Sequence, residues 1–130
     1  MVIYNFNPEA SGIVLFANFD GEEIKTIKML LDTGATYTTI PWHVAESLGY
    51  KPSDSDNWAT ITTADGVLNV PLFNVKSIEV LGQKIENVTV MIHDLPEISR
   101  VDGLLGLSYL RNFDLIIKFK EGILGLEKIK

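Results

Sequence analysis

The stretch best suited to chemistry is Leu30–Ala35, which reads Leu-Leu-Asp-Thr-Gly-Ala. Two strand-type apolar residues lead directly into the carboxylate of Asp32, and the hydroxyl residue Thr33 and the permissive Gly34 follow it. This order predicts an acid at the end of a buried strand, on a turn that glycine tolerates easily. Backbone and threonine donors can then orient the carboxylate. The alternative is a plain structural turn, in which the aspartate binds its own backbone amides.

The segments that must position this turn are period-two stretches rich in β-branched and aromatic residues, separated by turn dipeptides. Strands are predicted at 12–20, 23–31, 60–63, 67–80, 85–92, 113–119 and 123–129. Helices are predicted only at 41–48 and 107–112, and 51–57 is predicted to be a surface loop. This succession indicates a mostly β barrel or sandwich with one or two short helices.

The composition bounds the remaining possibilities. A chain of 130 residues, 46% hydrophobic and 22% charged, predicts a single globular domain over 1–130 and argues against disorder. The absence of cysteine excludes disulfides, a thiolate nucleophile and cysteine-ligated zinc. His43 and His93 have no partner at ligand spacing, so we expect neither a metal site nor a cofactor.

The charge balance and the apolar pattern predict the setting and the partners. Eleven Lys and Arg residues against 17 Asp and Glu residues give a net charge of −6, which disfavours a nucleic-acid partner. No apolar run approaches the roughly 18 residues of a membrane span, and the N-terminus lacks the pattern of a signal peptide. We therefore expect a cytoplasmic protein without a membrane partner. Asp94, Glu97 and Asp102 are predicted to lie in a solvated acidic loop.

A second motif, Gly-Leu-Leu-Gly at Gly103–Gly106, gives the Asp32 turn its context. Asp32–Ala35 after two leucines, with this second motif further along the chain, resembles the retropepsin-like aspartic peptidases. These are the single-domain peptidases of retroviruses and their bacterial and eukaryotic cellular relatives. The resemblance covers nearly the whole chain, and it implies a closed acid-protease barrel of the retropepsin type. It also implies an aspartic endopeptidase acting on peptide or protein substrates.

Aspartic-peptidase chemistry needs two carboxylates that share one proton. One acts as a base on water, while the other, protonated, polarises the scissile carbonyl. Asp32 belongs to the only Asp-Thr-Gly or Asp-Ser-Gly triplet in the chain. The second carboxylate must therefore come from a second copy, and we predict a two-fold homodimer in which the two Asp32 side chains meet at the axis.

The resemblance implies roles for the residues around Asp32. Thr33 would hydrogen-bond across the dimer axis, and Gly34 would offer its carbonyl to the substrate backbone. Ala35 would keep the floor of the substrate pocket small, and Thr36 would also contact substrate. Retroviral members usually carry Asp at the position of Thr36 and Arg at that of Leu107, and these residues form an ion pair there. Both are absent here, which fits the cellular branch.

The resemblance also assigns roles to two further segments. One is a flap, a hairpin that closes over the peptide and holds it through backbone amides, formed here by Ala64, Asp65 and Gly66. The other passes behind the catalytic loop and supports it, and consists of Leu104, Leu105 and Gly106. In retroviral enzymes the chain ends interleave into a dimer sheet, and 2–6 and 123–129 have the β pattern to do something similar.

Two other functions remain open from the sequence. The same fold could serve as a peptide-binding or dimerisation module with weak or no turnover, because fold does not determine function. An acidic β-barrel that binds a small ligand is a third interpretation, resting only on size and fold class. A complete Asp32–Ala35 motif favours the peptidase, since a redundant carboxylate pair at a dimer axis would be costly to retain.

Overall fold

The computed structural model describes residues 1–129, and these residues form mainly β-strands. The elements are β1 (Val2–Asn5), β2 (Val14–Asp20), β3 (Ile24–Leu31), β4 (Thr38–Ile40), α1 (Trp42–Ser47), a 3₁₀ helix (Pro52–Asp54), β5 (Asn57–Thr63), β6 (Gly66–Val80), β7 (Gln83–Ile92), β8 (Gly103–Leu105), α2 (Leu107–Leu110), β9 (Phe113–Lys118) and β10 (Ile123–Lys128). The predicted mostly β class with short helices is confirmed. The short strands β4 and β8 were not predicted from the sequence. Neither α-helix in the described part of the chain is long and apolar enough to cross a membrane.

Six strands close into a barrel in the order β2-β3-β8-β4-β7-β6. The closure is made by antiparallel pairing of β6 with β2, from Ala17 opposite Val80 to Asp20 opposite Ser77. Strand β5 pairs only with β6 in the described residues, and the β5–β6 hairpin therefore extends from the barrel wall. The predicted closed barrel is confirmed.

The barrel closes because alternate residues of its strands are apolar and face inward. In β2, for example, Leu15, Ala17 and Phe19 are buried and pack in the core, whereas Phe16 is exposed. Helix α1 covers part of this core with its buried face, and it ends before Gly49, which has a φ of +88° that favours glycine.

The loop that follows β7 contacts the start of α1. An oxygen of Asp94, Oδ1, accepts a hydrogen bond from the backbone N–H of Trp42, the first residue of that helix, at 2.9 Å. A carboxylate at this position satisfies one of the free N–H groups of the first turn and interacts favourably with the helix dipole. Asp94 is exposed, as predicted, but it also caps a helix 52 positions away in sequence.

The two ends of the chain form a separate three-stranded sheet in the order β1-β10-β9. Both pairings are antiparallel and lie within one chain, with Ile3 opposite Gly125 and Gly125 opposite Ile116. Leu124 and Leu126 of the central strand are buried against the main core. The sheet therefore anchors both termini to the barrel.

Candidate active site

Asp32 lies one residue beyond the end of β3, on a turn held at both ends by hydrogen bonds. Its backbone N–H donates to the carbonyl of Leu105 at 3.0 Å, and its own carbonyl accepts from the N–H of Ala35 at 3.2 Å. Its Oδ1 accepts from the backbone N–H of Gly34 at 2.9 Å. This last bond is also the one that a plain Asp-x-Gly turn would make. The hydrogen bond alone therefore does not distinguish a structural turn from a catalytic one, and the residues around the turn must do so.

Those surroundings leave the acid accessible. Asp32 is half-buried, and the following Thr33 and Gly34 are exposed. Within residues 1–129, the other carboxylate oxygen of Asp32, Oδ2, receives no hydrogen bond from the protein. The carboxylate is therefore fixed in direction through one oxygen, while its other oxygen can bind water or another molecule.

The second motif, for which the resemblance implies a supporting role, lies beside the strand that leads to Asp32. Its strand β8 pairs in parallel with β3, Leu30 opposite Leu104, and in antiparallel with β4, Thr39 opposite Leu104. It thus lies between the strand that enters the Asp32 turn and the strand that leaves it. Strand β8 pairs through its backbone, so its position depends on the hydrogen-bond ladders on its two sides.

The residues after β8 bind the far side of the same turn. The N–H of Leu107 donates to the carbonyl of Ala35 at 2.8 Å, and the N–H of Ser108 donates to that of Thr36 at 3.0 Å. A Cβ atom at Gly106 would lie 2.7 Å from the carbonyl oxygens of both Ala35 and Tyr37. Only glycine therefore allows this close approach of the two chain segments.

Two hydroxyl side chains, the buried Thr38 and the partly buried Ser108, complete the support. The N–H of Gly106 donates to Oγ1 of Thr38 at 3.1 Å, and the N–H of Thr38 donates to Oγ of Ser108 at 2.8 Å. Thr38 is fully buried, so each of these bonds satisfies a group that water cannot reach. Thr38 and Ser108 were missed in the sequence analysis because their contact depends on the pairing of β4 with β8, 70 positions apart.

A cavity of about 280 Å³ opens beside the Asp32 turn. It is lined by 35–37, directly after Gly34, and by 59–61 of strand β5. Thr39, Met91 and Leu104 also line it, and none of its lining side chains carries a charge. Ala35 and Thr36, for which the resemblance implies substrate contacts, both line this cavity. Met91 had no signal in the sequence, because its place here depends on its register opposite Thr39.

The tip of the β5–β6 hairpin, predicted to act as a flap, is not part of that cavity. Ala64, Asp65 and Gly66 are all exposed, and Gly66 has a φ of +128° with open space around its α-carbon. The base of the hairpin is tied down, since the indole N–H of Trp58 donates to the carbonyl of Ser55 at 2.8 Å. Strand β5 of the hairpin therefore lines the cavity beside the Asp32 turn, while the tip is exposed to solvent.

Helix α2 anchors the end of the second motif to the core. The hydroxyl of Tyr109 donates to the carbonyl of Gln83 at 2.6 Å, and its ring lies 5.0 Å from that of Phe113. Burial raises the pKa of Tyr109 well above its ordinary value of 10.0.

Within residues 1–129, no group of three or more His, Cys, Asp or Glu side chains is arranged to hold a metal ion.

Comparisons with known proteins place the chain in a family. The sequence matches the family described as aspartyl protease over residues 16–109, which include both the Asp32 turn and the second motif. Comparison with curated proteins gives no significant match. The crystal structure of a retropepsin-like aspartic protease from Rickettsia conorii is similar, with 22% identity, 95% of each chain covered and a TM-score of 0.70. The chain belongs to the aspartyl protease family and has its retropepsin-like fold.

Proposed function

We propose that this chain is an aspartic endopeptidase that is active as a homodimer, with one Asp32 from each copy forming the catalytic pair. Membership of the aspartyl protease family supports peptide-bond hydrolysis in general. The observation that carries the finer proposal is the Asp32 carboxylate, oriented by Gly34 on an exposed turn next to an uncharged cavity. Residues 1–130 would act as one protease domain, and the cytoplasmic location stays a prediction.

The proposed reaction uses water as the nucleophile. One Asp32 is ionised and takes a proton from the water, while the other is protonated and donates a hydrogen bond to the scissile carbonyl. The water oxygen bonds to the carbonyl carbon and gives a tetrahedral intermediate. The Asp32 that took the proton from water then passes it to the amide nitrogen, the C–N bond breaks, and a carboxylic acid and an amine are released, which leaves this Asp32 ionised again. Two carboxylates that met at the dimer axis could not both ionise easily, so they would share one proton.

The neighbouring residues fit roles in this reaction. Thr33 is exposed beside Asp32, where it can hydrogen-bond to the second copy across the axis. Gly34 is exposed as well and can offer its carbonyl to the substrate backbone. The hairpin tip at 64–66 would have to move toward the turn to hold a peptide, and its exposure leaves it free to do so.

The test is a cleavage profile on a diverse peptide library, read by mass spectrometry at about pH 5 and about pH 7, since a shared proton gives a bell-shaped pH profile with its acidic side below neutrality. Asp32→Asn should lower kcat by at least about 100-fold, because it removes the base and the shared proton. Asp54→Asn, the same change at an exposed carboxylate, should leave the rate unchanged. Appreciable turnover by the Asp32→Asn variant would overturn the mechanism.

A mixing experiment tests the shared site. Wild-type and Asp32→Asn chains are unfolded together in equal amounts and refolded, so that about a quarter of the dimers carry two intact acids if pairing is random. Activity per wild-type chain should then fall by about half. Undiminished activity per wild-type chain would mean that each copy works alone. A stable dimer that cuts nothing would favour a peptide-binding or dimerisation module instead.

A further inference from the structure

A second and larger groove, of about 410 Å³, lies on the other side of the strand that leads to Asp32. Its floor includes Leu30 of β3, two residues before Asp32. Leu30 is the register partner of Leu104, which lines the uncharged cavity already described. The two depressions are therefore neighbours across β3 and β8. Because Leu30 lies only two residues before Asp32, a peptide bound at the Asp32 turn would lie close to the larger groove.

The larger groove differs from its neighbour in charge. Lys28 of β3 and Arg100 of the loop after β7 both line it, in a chain whose net charge is −6. Within residues 1–129, neither cation has a carboxylate within 4.0 Å, since the ion pairs found there involve Met1 with Glu127 and Lys25 with Glu23. Two unpaired cations on one groove create a local positive potential that attracts an acidic group.

The rest of the lining suits a particular kind of acidic group. Leu30 and Val101 are apolar, and the hydroxyl residues Ser11 and Ser99 lie in the same groove as Lys28 and Arg100. A side chain with methylene groups can pack on the apolar part while its carboxylate accepts hydrogen bonds from the cations and hydroxyls. A glutamate has this form, with two methylene groups before the carboxylate.

We propose that this groove selects substrates with an acidic side chain, above all glutamate, near the scissile bond. The inference rests on the proposed peptidase function and names the peptide class that its site prefers. Lys28 precedes Asp32 by four residues, or about 13 Å at about 3.3 Å per residue. The preferred acid therefore lies within about four residues of the cleaved bond, because an extended substrate has the same rise.

The test compares peptides that differ only by glutamate or glutamine, placed in turn at each position within four residues of the cleaved bond. At one position or more, wild type should cleave the glutamate peptide about five- to tenfold faster in kcat/KM, and high salt should reduce this ratio. Lys28→Met combined with Arg100→Gln should bring the ratio near unity. Lys25→Met removes a lysine from the opposite face of the same strand and should leave the ratio unchanged.

The outcomes separate this inference from the proposed function. Cleavage that depends on Asp32 but does not distinguish glutamate from glutamine at any position would overturn the acidic preference and keep the peptidase. Binding of the same peptides to the Asp32→Asn variant, measured by calorimetry, provides a readout without turnover. If the Asp32→Asn variant binds the glutamate peptide selectively and the wild type cleaves neither peptide, the acidic preference of the groove stands and the proposed peptidase function is overturned. Equal binding of both peptides would contradict the preference of the groove for an acidic side chain.

Discussion

The buried hydrogen bond from the N–H of Gly106 to Oγ1 of Thr38 should be one of the main supports of the Asp32 turn. Thr38→Val keeps the size and branching of this fully buried side chain and removes its oxygen. The Gly106 N–H then has no acceptor and no water within reach. A buried donor without a partner costs about 1–3 kcal/mol of unfolding free energy.

This free energy converts into a measurable melting shift. An unfolding entropy of about 2.1 cal/mol/K per residue gives about 0.27 kcal/mol/K for 130 residues. A loss of about 1–3 kcal/mol therefore lowers Tm by roughly 4–11 °C. Thr38→Ser keeps the acceptor and removes one buried methyl group, so its loss of about 1 kcal/mol comes from packing alone.

Urea unfolding and amide hydrogen exchange, at one protein concentration for all variants, distinguish these effects. The Gly106 amide should lose its protection in the Thr38→Val protein and retain it in the Thr38→Ser protein. Thr26→Val makes the same change where the hydroxyl donates to Oδ1 of Asn18 at an exposed site, and should cost under about 0.5 kcal/mol. An unchanged urea midpoint for Thr38→Val, or a Gly106 amide that stays protected, would refute the reasoning.

Two further predictions concern the hydrogen bonds that fix the two short helices, made by Tyr109 of α2 and by Asp94 at the start of α1. Tyr109→Phe removes the bond to Gln83 and should lower the unfolding free energy by about 1–2 kcal/mol at neutral pH. Burial raises the pKa of Tyr109, so the unfolded chain loses the phenol proton at a lower pH than the folded chain does. The advantage of the wild type over Tyr109→Phe in unfolding free energy is therefore full below pH 10.0 and shrinks as the pH rises above it. A difference in urea unfolding that stays constant with pH would contradict this. Asp94→Ala should cost about 1 kcal/mol by removing the cap on Trp42, whereas Asp94→Asn should cost less; equal losses in thermal unfolding would exclude a capping role.

Much of the fold could be predicted because its signals are local. Alternating apolar residues indicated β2, β3, β7 and the final hairpin, and glycine turns marked their ends. The strands β4 and β8 escaped because three residues are too few to show a period of two. Their existence depends on pairing with distant partners, which β8 finds in both β3 and β4. The role of Asp94 at α1 was missed for the same reason.

The sequence by itself predicted Asp32, on its glycine turn, as the reactive group, and predicted the need for a second carboxylate. It also determined the mostly β class. The prediction of the reactive group and that of the fold class both follow from residue types and short spacings. Only the tertiary structure decided which side chains surround that acid. Thr38 and Met91 come close to the Asp32 turn through strand register, and Lys28 and Arg100 meet in the larger groove through loop packing. These arise from long-range burial and hydrogen bonding, which no local pattern in the sequence specifies.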